Sequence, residues 1–155
     1  MPYNKDREIE NKFAPQIKTI LAQHFITKNV EADLKEGQDF GIYCLKPFNV
    51  GVRLRTFEYF KPYNREFTIR WSRPSGAKTE IHKIREGLVD FILYGFLDQK
   101  EQNIIQYFIG DLKYFGDVQP CQIRLNDPPD SELAVFKFDQ FPRKFFVAWF
   151  HDRRF

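Results

Sequence analysis

A chain of 155 residues with 43% hydrophobic content is long enough for a single domain with a true core, expected over residues 1–155. No apolar run reaches the 18 residues of a membrane-spanning helix, and MPYNKDREIENK lacks the apolar stretch of a signal peptide, so a cytoplasmic protein without a membrane partner is expected. Net charge is only +3, but 46–85 carries ten Lys or Arg against three Glu, a local +7 between flanks of −1 and −3, which points to an anionic partner.

The first predicted element is a helix over 5–25, where Ile9, Phe13, Ile17, Ile20, Leu21, His24 and Phe25 recur at helical spacing. Asn4 or Asp6 suits its cap, Glu8 and Glu10 suit a positive first turn, and Pro15 predicts a kink or a fresh start. Residues 28–37 read as polar and irregular, with a short strand near Val30. Asp39 then opens a strand over 40–45, and a turn at Pro47-Phe48-Asn49 leads to its hairpin partner over 51–57. Successive strand side chains leave on opposite faces, so Val52 and Leu54 share one face while Arg53 and Arg55 share the other. Neighbouring guanidiniums repel unless an anion lies between them. The expectation is a shared pocket, opened by Asp39, that takes a phosphate-bearing guest.

A loop over 58–65 with Tyr59, Phe60 and Tyr63 leads to a strand over 66–71, in which Thr68 and Arg70 oppose Phe67, Ile69 and Trp71. Ser75 is the expected N-cap of a helix over 77–86 that stops at Gly87, with Ile81, Ile84 and Leu88 facing the core. Residues 89–96 form a continuous apolar run suited to a buried strand, with 104–109 as its hairpin partner. After Asp111 the pattern loosens. Residues 133–138 and 145–150 read as short strands, and 151–155 as a frayed basic tail. Cys44 and Cys121 lie far apart without metal-ligand spacing; they read as buried or half-buried free thiols, and a structural zinc is excluded. The 18 Phe exceed what one small core absorbs, so some are expected at the surface or an interface.

Helix, strand with Asp39, strand with Arg53-Leu54-Arg55, strand, helix, then Asp90-Phe91-Ile92-Leu93-Tyr94 and its hairpin partner: this order resembles the PD-(D/E)XK, or restriction-endonuclease-like, nuclease superfamily over roughly residues 5–110. The resemblance implies an α/β (α+β) fold, a central mixed sheet flanked by helices, with an αβββαβ core and extra C-terminal strands over 111–155. It implies Asp39 as the metal-binding acid, Arg55 at the lysine position, Glu10 as the first-helix acid, and Glu80 as an acid moved to the following helix. Arg53 stands where the family has Glu or Gln, and arginine offers magnesium no oxygen. The implied protein is a magnesium-dependent endonuclease or a catalytically decayed relative, with magnesium needed only by the active form.

The residues themselves point to anion binding. Arg53, Arg55, Arg70, Arg73, Lys78 and Lys83 suit a phosphate backbone, and Tyr59, Phe60, Tyr63 and Trp71 are interleaved to stack bases. Three alternatives stand beside this reading. The rings can serve packing, and Arg53 and Arg55 can form an ion-pair network with Asp39 or Glu80. The chain can also be a non-catalytic binding or assembly protein, homo-oligomeric through its Phe, that recognises an acidic partner through the Arg53/Arg55 face. No Gly-rich phosphate loop, nucleophile elbow or His cluster supports a serine or cysteine hydrolase or a nucleotide-binding fold.

Overall fold

In the structure, a computed structural model, residues 2–36, 48–126 and 129–154 are described, with side chains of the first stretch described at residue 5 and over 7–24. They group into two compact units, 1–47 and 48–155. The first contains α1 (Pro2–Glu36), which runs past the predicted end and takes in the segment read as irregular. Glu31, Ala32, Leu34, Lys35 and Glu36 favour helix, and no Gly or Pro interrupts them. The helix also continues through Pro15 without a restart, and the Thr19 hydroxyl donates to the Pro15 carbonyl at 3.1 Å. Because it begins at Pro2, Glu8 and Glu10 lie beyond its first turn, which removes the dipole-matching role expected of them.

The second unit opens with β1 (Val50–Arg55), α2 (Phe57–Tyr63) and β2 (Glu66–Ser72). After α3 (Glu80–Arg85) come the hairpin strands β3 (Phe91–Leu97) and β4 (Ile104–Asp111), then β5 (Gln122–Leu125), β6 (Glu132–Lys137) and β7 (Phe146–His151). One sheet is mixed, in the order β1-β3-β4-β7, with β1 parallel to β3; the other is antiparallel, in the order β2-β6-β5. The fold is therefore mixed α+β with extra C-terminal strands, as expected. Two sheets share the strands where one was expected: α2 separates β2 from β1, and β6 offers β2 an antiparallel edge that pairs Phe67 with Phe136 and Ile69 with Ala134. The predicted strand over 40–45, and with it the hairpin to β1, lies outside the described residues.

All seven residues of β3 are buried, as a central strand covered on both faces requires. Its start is tied to β1: Asn49 N–H donates to Asp90 Oδ2 at 2.8 Å, and the Asn49 carbonyl accepts from Asp90 N at 2.8 Å. The β3–β4 turn closes around Asp98, whose carboxylate accepts from Gln102 N at 2.6 Å and Asn103 Nδ2 at 2.9 Å. Between the sheets, the Phe67 ring centroid lies 5.3 to 6.3 Å from those of Tyr94, Phe108, Phe136, Phe138, Phe141 and Phe145. Such ring pairs add about 0.5–1.5 kcal/mol each beyond area burial. Most of the phenylalanine load goes into this core, while Phe48 and Phe150 remain exposed.

Five local readings change. Residues 58–65, read as loop, contain most of α2, because burying Phe60 and stacking Phe57 on it at 5.9 Å favours a helical turn. The N-cap of α3 is Thr79, buried, with its hydroxyl donating to the Trp71 carbonyl at 3.0 Å, and Ser75 lies outside the helix. Leu88 is 53% exposed, since Gly87 at φ +69° turns the chain out of the core just before it. Cys121 is a free thiol but exposed, and β5 beside it forms where the sequence pattern shows little. The start of the segment read as a frayed tail is held: β7 includes His151, and Asp152 N donates to the Ile105 carbonyl at 2.7 Å. Among the described residues, no helix is long and apolar enough to cross a membrane.

Candidate functional site

The parallel register sets Arg53 opposite Tyr94 and Arg55 opposite Phe96, and both rings belong to the core. Partners in register share a face, so the two arginines leave one face of β1 toward the core side, as alternation requires. Their surroundings then diverge. Arg53 Nη1 donates to Glu80 Oε1 and Oε2 at 3.3 and 3.2 Å, and Glu80 Oε2 also accepts from the Arg70 backbone N–H at 2.9 Å. The Arg53 side chain is 11% exposed and that of Glu80 41%. The pair, with Lys83, Val50 and Val89, lines a cleft of about 270 Å³. Arg53 Nε is buried and has no hydrogen-bond partner among the described residues.

Arg55 lies over the Tyr59 ring, with its guanidinium carbon 4.1 Å from the centroid. Tyr59 and Tyr63 are four residues apart on α2 and so face the same way, their centroids 6.3 Å apart and nearly parallel. Arg124 arrives from β5, its guanidinium carbon 4.6 Å above Tyr63 and its Nη1 donating to Glu66 Oε1 at 2.6 Å. Arg55, Tyr59, Tyr63 and Arg124 thus form one row, with the two tyrosines between the two arginines. They line a second cleft, of about 150 Å³, with Glu66, Thr68 and Tyr94. At its base Thr68 Oγ1 and Tyr94 OH lie 3.3 Å apart in a hydrogen bond.

The two clefts have no lining residue in common, which corrects the expectation of a shared pocket for Arg53 and Arg55. Positions two apart on a strand are separated by about 6.7 Å, and partners from two different helices, Tyr59 and Glu80, reach them separately.

The other predicted site residues scatter. Glu10 is exposed on α1, in the first unit, and Asp39, the implied metal acid, lies outside the described residues. Lys78 Nζ pairs with Glu86 Oε1 at 2.7 Å on the surface, and Arg73 lies in a turn whose carbonyl accepts from Gly76 N at 3.0 Å. Phe60 is buried and Trp71 packs against the core beneath Arg85, 4.9 Å from its ring, so these two rings serve packing. Glu66, Thr68, Tyr94 and Arg124 join the site unpredicted. Glu66 and Thr68 were legible as polar residues on one face of a strand with Arg70, and Tyr94 as a hydroxyl inside an apolar run. Arg124 had no sequence signal.

Magnesium needs oxygen ligands. Arg53 has none, and both oxygens of Glu80 already accept from Arg53, so the described residues of the implied set do not fit that ion. Among the described residues, no group of three or more His, Cys, Asp or Glu is placed to hold a metal. No family model, curated protein or solved structure matches the chain, and the likeness to restriction-endonuclease-like nucleases rests on its motifs alone.

Proposed function

We propose that this chain is a nucleic-acid-binding protein of the nuclease-like kind, with phosphate contacts centred on Arg55 and Arg124. The observation that carries this reading is the row Arg55–Tyr59–Tyr63–Arg124, in which two guanidiniums lie over aromatic rings at one cleft. Stacking pre-orients a planar fork, and the fork matches phosphate oxygens in bidentate fashion. Arg53 takes a different part in this reading: its charge is met by Glu80, so it holds α3 against β1.

Anisotropy of labelled single strands and duplexes, measured across a salt series, tests the proposal. Affinity is expected to fall steeply with salt through counterion release, and the double variant Arg55→Ala/Arg124→Ala is expected to weaken binding whatever the base sequence. Unchanged affinity in that variant overturns the reading. If strands fail to bind while an acidic peptide does, and both arginines are required, the partner is an acidic protein. Plasmid cleavage with magnesium or manganese, lost in Asp39→Ala without loss of folding, would establish the catalytic version separately.

A further inference from the structure

We infer that the Arg55–Arg124 cleft receives a phosphomonoester, the terminal phosphate of a nucleic-acid strand, rather than the diester backbone. This rests on the nucleic-acid binding proposed above and narrows it to one chemical group. The cleft measures about 150 Å³, well below the ~300–1,000 Å³ of sites that enclose whole small molecules. A single phosphoryl group suits that space, and a nucleotide does not.

The base of the cleft asks for an acceptor. Thr68 and Tyr94 are 7% and 3% exposed, and each hydroxyl carries one proton. Only one proton is used in the bond between them, and neither hydroxyl bonds any other described residue. One O–H is therefore left to donate into the cleft that both residues line. The walls provide two further donors, the guanidiniums of Arg55 and Arg124. Glu66 offsets part of the positive charge and holds Arg124 in place through their 2.6 Å contact.

Three donor groups lining one small cleft match in number the three terminal oxygens of a monoester, which carries about −1.5 to −2 charge at neutral pH. A diester presents two such oxygens, a single charge, and chain on both sides to be accommodated. Phe96, Leu125, Asn126 and Leu133 complete the lining, and the apolar surface of Phe96, Leu125 and Leu133 strengthens each hydrogen bond made beside them.

The experiment uses the whole chain and labelled single strands ending in a 5′-phosphate, a 3′-phosphate or hydroxyls only, with a nucleoside monophosphate and inorganic phosphate as competitors. One phosphorylated end is expected to bind about tenfold more tightly than the hydroxyl-ended strand. Thr68→Val and Tyr94→Phe, each close in shape to the parent residue, are expected to abolish that preference, so that each variant binds the phosphorylated and hydroxyl-ended strands equally. Thermal melts identify a variant that has lost its fold, and the other then decides.

Equal binding of all three strands overturns the inference while the proposed nucleic-acid binding stands. A preference that survives in both variants overturns it too, because the phosphate is then held elsewhere. Binding of the monophosphate and inorganic phosphate without any strand binding overturns the strand as source and the proposed function with it. The absence of all binding overturns both.

Discussion

Arg53 and Arg55 leave the same face of one strand, yet Arg53 Nη1 lies 3.2 Å from Glu80 Oε2 while the Arg55 guanidinium lies 4.1 Å over the Tyr59 ring. Glu80 meets the first charge, and an aromatic ring lies beneath the second. The two are therefore expected to fail differently when changed: Arg53 and its partner in stability, Arg55 and its row in binding.

Glu80→Leu leaves the Arg53 charge 11% exposed and without that partner, and also removes the acceptor of the Arg70 backbone N–H. The expected loss is about 1–3 kcal/mol, below the range for a fully buried pair because Glu80 is itself part-exposed. Denaturant unfolding is expected to show a lower midpoint at an unchanged slope. Arg53→Met together with Glu80→Leu is expected to lose less than the sum of the single changes. An unaltered midpoint in Glu80→Leu would show that the pair adds nothing.

Arg124→Ala removes one of the two stacked guanidiniums at the cleft. The slope of log affinity against log salt is expected to become shallower by about 1, as for one lost phosphate contact. Arg53→Ala is expected to change that slope much less. Anisotropy at four or five salt concentrations distinguishes them, and equal effects on the slope would contradict the division of roles between the two clefts.

Gly110 on β4 is required by a close approach. A Cβ there would lie 2.5 Å from Phe145 Cζ and 3.1 Å from Ile92 Cγ2. Phe145 is fully buried and cannot swing into solvent. Gly110→Ala is expected to cost about 1–3 kcal/mol through overpacking. Combining it with Phe145→Leu is expected to recover part of that difference in a thermal melt; a single variant as stable as the parent would mean that the ring can shift.

Asp152 titrates low. Hydrogen bonds from the Arg154 side chain, at 2.6 and 3.0 Å, and then from its backbone hold the carboxyl at about 2 against the usual 3.8. A depressed folded value means that the contribution to stability is present above the unfolded value and is lost as pH falls toward 2. An NMR titration is expected to give a midpoint near 2 for the parent, and one returning toward 3.8 in Arg154→Ala. The same midpoint in both would rule out Arg154 as the cause.

What the residues determined by themselves is local. Alternation along Val52-Arg53-Leu54-Arg55 put both arginines on one face, and the apolar run over 89–96, with a turn over 97–100, specified a buried strand and its hairpin, observed as Phe91–Leu97 and Ile104–Asp111. These follow from the two-residue repeat of a strand and from solvent exclusion, which act between neighbours in the chain. Only the tertiary structure decided that Glu80 meets Arg53 and that Arg55 lies over Tyr59. Glu80 lies 27 residues from Arg53, and Arg124 lies 58 from Glu66. Contacts over such separations depend on how two sheets pack and on which strand borders which, and no short pattern encodes that. The helix α2 belongs with them, since burial of Phe60 outweighed the turn-like composition around Pro62 and thereby placed Tyr59 and Tyr63 side by side.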